Sequence, residues 1–403
     1  MNRWQPRFFT IWIGQAVSLV GSSLTQFVLI WWITQKTNSP GALATAGIVG
    51  LLPTAIFSLL SGAIADRFNR RIIMVLADSI TAVCMLVLVI LFATETVQLW
   101  QVYLLMFIRA TMQSFQQPAA SASTVNLVPK NWLARVAGMN QVLQGVMTIA
   151  AAPLGALALA FLPIQSALLI DVFTAILGIT PLFFYAIPQP NKPETALTLA
   201  ALLKDIRGGA AYILNRPSLK RLYGITGLVV LTIMPTFSMT PLLITQHFQG
   251  GVNEVALIEG FAGLGIIAGG IFISIWPLFK RRVLTVLISF AISCATVALT
   301  ALMPQQFFWL AIIWWTISGF AFSTGNAPLT AILQTKIPNE FQGRTLALLN
   351  MVYGFAAPIG LIIFGLLGEA FGVQAVFILG GVLSTLVCAG SLFSKKLLSV
   401  EQE

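Results

Sequence analysis

The feature that most constrains this chain is the recurrence of long apolar runs bounded by charges, Pro or Asn. Most are longer than the ~20 residues a helix needs to cross a hydrocarbon core of about 30 Å. They lack the period-two alternation of barrel strands, and helices are the other structure that satisfies every backbone N–H and C=O inside lipid. We read twelve spans, at 8–34, 41–64, 72–94, 98–126, 134–160, 164–186, 218–246, 252–277, 282–303, 305–335, 343–368 and 372–394. With 58% hydrophobic and 8% charged residues, a chain of 403 residues cannot clothe an ordinary soluble surface, so an all-α membrane protein is expected. The first run follows Arg3 and Arg7 but far exceeds a signal-peptide core and lacks a small-residue cleavage site, so it is read as the first span.

Twelve spans place both termini on the same side. Every Lys and Arg except Arg109 and Lys36 lies at a terminus or in an even-to-odd connection. The positive-inside rule therefore predicts a multi-pass protein of the cell membrane with both termini cytoplasmic. It also explains the net charge of +10 through anionic membrane lipids at helix ends, without nucleic acid as a partner. Cys84, Cys294 and Cys388 sit singly in separate apolar runs and read as small core residues, and His247 has no neighbour at ligand spacing. Neither a metal nor a cofactor is expected. Without a P-loop, nucleophile elbow or HExxH sequence, no enzymatic chemistry is expected either.

The longest connection divides the spans six and six. We expect an N-terminal six-helix bundle over 1–187, a cytoplasmic linker over 188–217 and a C-terminal bundle over 218–403. In the linker, Leu199, Leu202, Leu203, Ile206, Ala210 and Ile213 recur at helical spacing and predict an amphipathic helix on the membrane surface, with a plain solvated linker as the alternative. The halves repeat. VPKNWLAR around Pro129 and Arg135 answers to IPNEFQGR around Pro338 and Arg344, Pro118 to Pro328, Pro153 to Pro358, and Arg70 and Arg71 to Arg281 and Arg282, in the same order and at nearly constant separation. Two like-oriented six-helix halves joined by a long cytoplasmic connection form the parallel-repeat plan of alternating-access transporters, whose substrate site lies at the midplane.

Charged and amide side chains inside the spans are candidates for function because they are costly in hydrocarbon. Arg109, Gln113, Gln116 and Gln117 share one face of span four. Gln15, Ser18, Ser22, Thr25 and Gln26 do so in span one, and Asn140, Gln141, Gln144 and Thr148 in span five. Together they predict a polar wall around a water-filled cavity. The second half offers Met234, Phe237 and Met239 near an expected break in span seven, Trp314, Trp315 and Asn326 in span ten, and Asn350 and Tyr353 in span eleven. A cavity of amides, aromatics and methionines suits bulky amphipathic substrates, although each Met or Trp taken alone reads first as a packing or interface-anchoring residue. For coupling to protons, Asp171 in span six is the first choice, with Arg109 as its counter-charge, and Glu259 in span eight the next. Asp78 follows Arg71 by seven residues and reads as a structural partner of the basic cluster there.

That cluster carries a family resemblance. Gly62, Asp66, Arg67, Arg70 and Arg71 in GAIADRFNRR resemble the G-x-x-x-D-R-x-G-R-R loop between the second and third helices of the major facilitator superfamily. FFTIWIGQAVSLVGSS near the start, Arg109, LLIDVFTAILG and GFAAPIGLIIFG resemble its macrolide-efflux branch. The resemblance implies the major facilitator fold, a monomer, and export of a small amphipathic substrate in exchange for protons. It also implies a gate in which Asp66 approaches the backbone N–H groups of Gln342 and Gly343 at the start of span eleven. Asn69 stands where the family has Gly, and a left-handed backbone with φ > 0 is expected there. Gly145, Ala152, Pro153 and Gly155 in span five resemble part of the superfamily's antiporter signature. Two other functions stay open at this stage: an exporter or flippase of a lipid or siderophore-like metabolite, and a binding or sensing protein that kept the fold without transport.

Overall fold

The computed structural model describes residues 4–185, 187, 207–208, 210–276, 281–394 and 397. Long helices occupy every expected span: α1 Trp4–Thr37, α2 Pro40–Arg67, α3 Arg70–Ala93, α4 Leu99–Leu127, α5 Leu133–Phe161 and α6 Ile164–Phe184 in the first half. The second half holds α7 Pro217–Gln246, α8 Val252–Ile275, α9 Arg282–Leu302, α10 Phe308–Lys336, α11 Asn339–Phe371 and α12 Val373–Ser391. Eleven of them are long and apolar enough to cross a membrane on composition alone. The exception is α4, whose hydropathy is lowered by Arg109 and its glutamines. The amphipathic linker helix expected over residues 199–213 falls largely outside the described residues.

Local chemistry sets the helix ends. Glu254 returns its carboxylate to the Gly251 N–H at 2.7 Å and closes the start of α8, while Pro217 opens α7, where its missing N–H is no loss. Gly372 separates α11 from α12 at φ 85°, a conformation that costs glycine little. Two expectations are corrected here. Asn69 has φ −62° rather than a positive φ: helix α3 restarts at once, and the Asn69 side chain caps it by accepting from the Arg71 and Ile72 N–H groups at 3.0 and 3.4 Å. The expected break in span seven is absent, because α7 runs continuously through Pro235 and Pro241.

The chain divides into two compact units, Met1–Ile33 with Val49–Leu197, and Thr34–Ile48 with Thr198–Glu403. In unit 1, α3 packs against α4 and α6, and α2 meets α4 through the Phe57 and Phe115 rings. The outward stripe of α3, with Ile72, Leu76, Val83, Leu86 and Ile90, is exposed, whereas Met74, Ala77, Cys84, Met85 and Leu88 are buried. A cluster built on Phe8, Ile11, Met74, Leu127, Val136 and Leu182 closes the end of the bundle where α1 begins, and Trp4 meets Trp132 edge-on at 5.1 Å. At that end Arg70 donates to the Ala65 and Ala122 carbonyls at 3.0 and 2.8 Å, and Arg71 to the Phe183 carbonyl at 2.9 Å. Both arginines thus brace the C-terminal ends of α2, α4 and α6, where carbonyls outnumber their helical partners and the dipoles favour cations.

Unit 2 repeats the neighbour pattern. Helix α9 packs against α10 and α12 as α3 does against α4 and α6, and α8 lies along α10. Its crossings are close. The α carbon of Gly360 faces the Leu231 carbonyl, Gly380 faces the Thr232 carbonyl and Gly265 the Thr316 carbonyl. Small residues allow such approach between helices that gain little from the hydrophobic effect in lipid. The segment Thr34–Ile48 joins this unit through α11: Glu369 accepts from the Gly41 N–H at 2.9 Å and from the Ser39 hydroxyl, and Gln246 of α7 donates to the Asn38 carbonyl at 2.9 Å.

Candidate functional site

A cavity of about 550 Å³ opens within unit 1, lined by α1, α3, α4 and α5 with Gly50 of α2. It extends from the start of α1, α3 and α5 and the end of α4 to Arg109. Gln15, Ser18, Ser22, Gln26, Gln113, Gln116, Gln141 and Gln144 all line it, so the three polar faces read from the sequence converge on one space. Amides joined to one another hold part of this wall. Gln116 Nε2 donates to Gln15 Oε1 at 2.5 Å, Gln15 Nε2 donates to the Gly178 carbonyl at 3.1 Å, and Trp12 Nε1 donates to Asn140 Oδ1 at 2.7 Å. Phe8, Trp12, Met74, Met106 and Met112 supply the apolar part of the lining.

Behind the wall lies a buried ion pair. Arg109 Nη2 meets Asp171 Oδ2 at 3.1 Å, with the two residues 8% and 1% exposed. Asp171 also accepts from Ser22 at 2.8 Å and Thr25 at 3.1 Å, so three donors from α1 and α4 converge on a carboxylate on α6. The approach of α1 to α6 is possible because Gly21 lies against Thr174 and the Asp171 backbone. On the other side of the pair, Nε and Nη1 of Arg109 are buried with no partner among the described residues. Carrying a charge in a low-dielectric interior is tolerable only when it is paired and hydrogen-bonded. Asp171 meets that condition in full; Arg109 meets it with one of its three nitrogens.

Asp78 also lines the cavity, and this corrects the sequence reading of it. Its Oδ2 accepts from Gln15 Nε2 at 3.0 Å, while Arg70 and Arg71 turn to helix-end carbonyls. Glu259 lies on α8 in unit 2 and has no side-chain partner among the described residues. In the same unit, Phe237 contacts Trp315 at 5.4 Å between ring centroids, and Trp315 in turn meets Phe377 at 5.9 Å. Trp315 is therefore a packed core residue, only 2% exposed, rather than part of an open lining. Met234 and Tyr353 are half-buried, and Asn326 and Asn350 exposed. In the loop that carried the resemblance, Gly62 and Arg67 are half-buried, whereas the Asp66 side chain lies outside the described residues. In α5, Gly155 lies against the Phe27 ring, Ala152 is buried, and Gly145 has open space beside it. His247 is bonded to the Met303 carbonyl at 2.8 Å, and the three cysteines are free and buried. Sequence reasoning missed Thr25 and Ser22 as donors to Asp171, and Glu369 altogether.

Residues 4–403 match the family model described as transmembrane secretion effector. Macrolide efflux protein A of Streptococcus pyogenes is 30% identical over 382 residues, covering 95% of this chain and 94% of that one. The multidrug efflux pump Tap of Mycolicibacterium fortuitum is 21% identical over 374 residues, covering 89% of this chain and 88% of the relative. Among solved structures, a bacterial homologue of the human lysosomal transporter Spinster, in an inward-facing and unoccupied conformation, aligns with a TM-score of 0.69 at 14% identity. It covers all of this chain and 98% of its own, which shows the shared fold.

Proposed function

Because the chain belongs to the transmembrane secretion effector family of major facilitator transporters, we propose that it exports amphipathic small molecules, macrolide-like or of broad range, by alternating access in exchange for protons. The observation that carries this reading is the cavity of about 550 Å³ in unit 1, walled by amides, aromatics and methionines and backed by the Arg109–Asp171 pair. Pockets of this size suit drug-like ligands, and flexible methionines with amide groups accommodate varied shapes without a fixed polar template. The names of the relatives from Streptococcus pyogenes and Mycolicibacterium fortuitum support the same substrate range.

The pair supplies the coupling. A proton delivered to Asp171 removes the negative charge that holds Arg109, and the guanidinium is left as an uncompensated cation beside the cavity. Its relief is a change of conformation, so proton and substrate occupancy bias the same equilibrium. Glu259 is the second candidate for carrying the proton. The loop Gly62, Asp66, Arg67, Asn69, Arg70 and Arg71 acts as the gate, with Arg70 and Arg71 bracing helix ends. With both termini cytoplasmic, the basic loops and the entrance of the cavity face the cytoplasm, as export requires. The protein works as a monomer.

Minimum inhibitory concentrations across a drug panel, measured on overexpression in a pump-deficient host, test the export reading. The wild type is expected to raise them for bulky amphipathic compounds, and Asp66→Asn to lower transport several-fold while expression persists. An unchanged panel would instead favour a binding or sensing protein, and wild-type turnover in Asp66→Asn would remove the gate.

A further inference from the structure

The charges that line the cavity do not cancel. Arg109 is bound to Asp171, which is withdrawn behind the wall, so that pair is neutral as a unit. Asp78 is the remaining charged residue of the lining, and no basic side chain among the described residues meets it. Its one bonded partner among the described residues is Gln15. Gln15 cannot do more for it, because Nε2 also serves the Gly178 carbonyl and Oε1 is taken by Gln116. A carboxylate offers about four acceptor positions, and a single amide donor leaves most of them open. In a low-dielectric cavity an unmatched anion favours a cation strongly over a neutral molecule of the same shape.

We infer that Asp78, positioned by Gln15, is the anionic subsite of the cavity and selects amphipathic organic cations whose protonated amine docks on its carboxylate. The half-buried Trp12 ring in the same lining favours such a group further. This substrate class rests on the export reading but concerns recognition rather than flux.

The test compares two fluorescent ligands of equal shape, a dansyl amide ending in a dimethylammonium group and its isostere ending in isopropyl. Both bind the full chain in nanodiscs of zwitterionic lipid, corrected for empty discs. The wild type is expected to hold the ammonium ligand at least tenfold more tightly, Asp78→Glu to keep most of that preference, and Asp78→Asn to reduce it to within twofold. A measurement on the unaltered chain gives a second check: carbodiimide modification of Asp78, mapped by mass spectrometry, should be slowed by the ammonium ligand and not by the isostere. Equal affinity of the two ligands for the wild type, an undiminished preference in Asp78→Asn, or no protection of Asp78 would overturn the inference. Each leaves the export reading standing. Absence of drug flux from liposomes with the cation preference intact would overturn the export reading alone.

Discussion

Asp171 survives 1% exposed inside a membrane helix because Ser22, Thr25 and Arg109 each give it a donor. Removing one partner from a buried ion pair costs about 3–5 kcal/mol, since the other charge is stranded, whereas replacing both by apolar residues is often neutral. Asp171→Ala should therefore lower the thermal unfolding midpoint clearly in detergent, and Asp171→Leu with Arg109→Met should recover most of the loss; additive losses would show that the residues act separately. Both charges were legible as ionisable groups inside apolar runs. Their hydroxyl donors were not, because Ser22 and Thr25 on α1 read equally well as cavity wall. Asp78 was misread for a related reason: seven residues bring it back to the face of Arg71, but the terminal carbonyl of α6 takes that guanidinium and leaves Asp78 to Gln15. Asn69 suits both a left-handed turn and an N-cap, and the immediate restart of α3 with unpaired N–H groups decides for the cap.

Helices meet here through close backbone contact, and that level was the least legible. The spans could be read because apolar length is a local property, and no helix end lies more than four residues from its expected position. Which glycine touches which neighbour depends on helix phase and partner together. Gly360 lies directly against the Leu231 carbonyl of α7, whereas Gly145, part of the recognisable signature in α5, has nothing within 4 Å of an added Cβ. Gly360→Ala is expected to destabilise by about 1–3 kcal/mol, the usual range for forced overpacking, and Gly145→Ala to change stability little. Chemical denaturation in mixed micelles would show it; equal losses would mean that the crossing tolerates displacement. The face of Arg109 and the glutamines on α4 was legible because four polar residues at helical spacing cannot all face lipid.

For the molecule as a whole, duplication explains the economy of the design: α3 and α9 hold equivalent places in their units. The repeat was visible through prolines and arginines that recur in order. The grouping of Thr34–Ile48 with unit 2 was not, because it rests on Glu369 and Gln246, both far along the chain, meeting the turn at Asn38, and local sequence does not encode that meeting. The halves also differ in chemistry, since the amide wall and the Arg109–Asp171 pair belong to unit 1. That asymmetry underlies the central claim, that proton exchange drives export. Purified protein in liposomes with an imposed pH gradient tests it most directly: substrate flux should run opposite to the proton gradient and reverse when the gradient is inverted, and flux indifferent to the gradient would contradict the account.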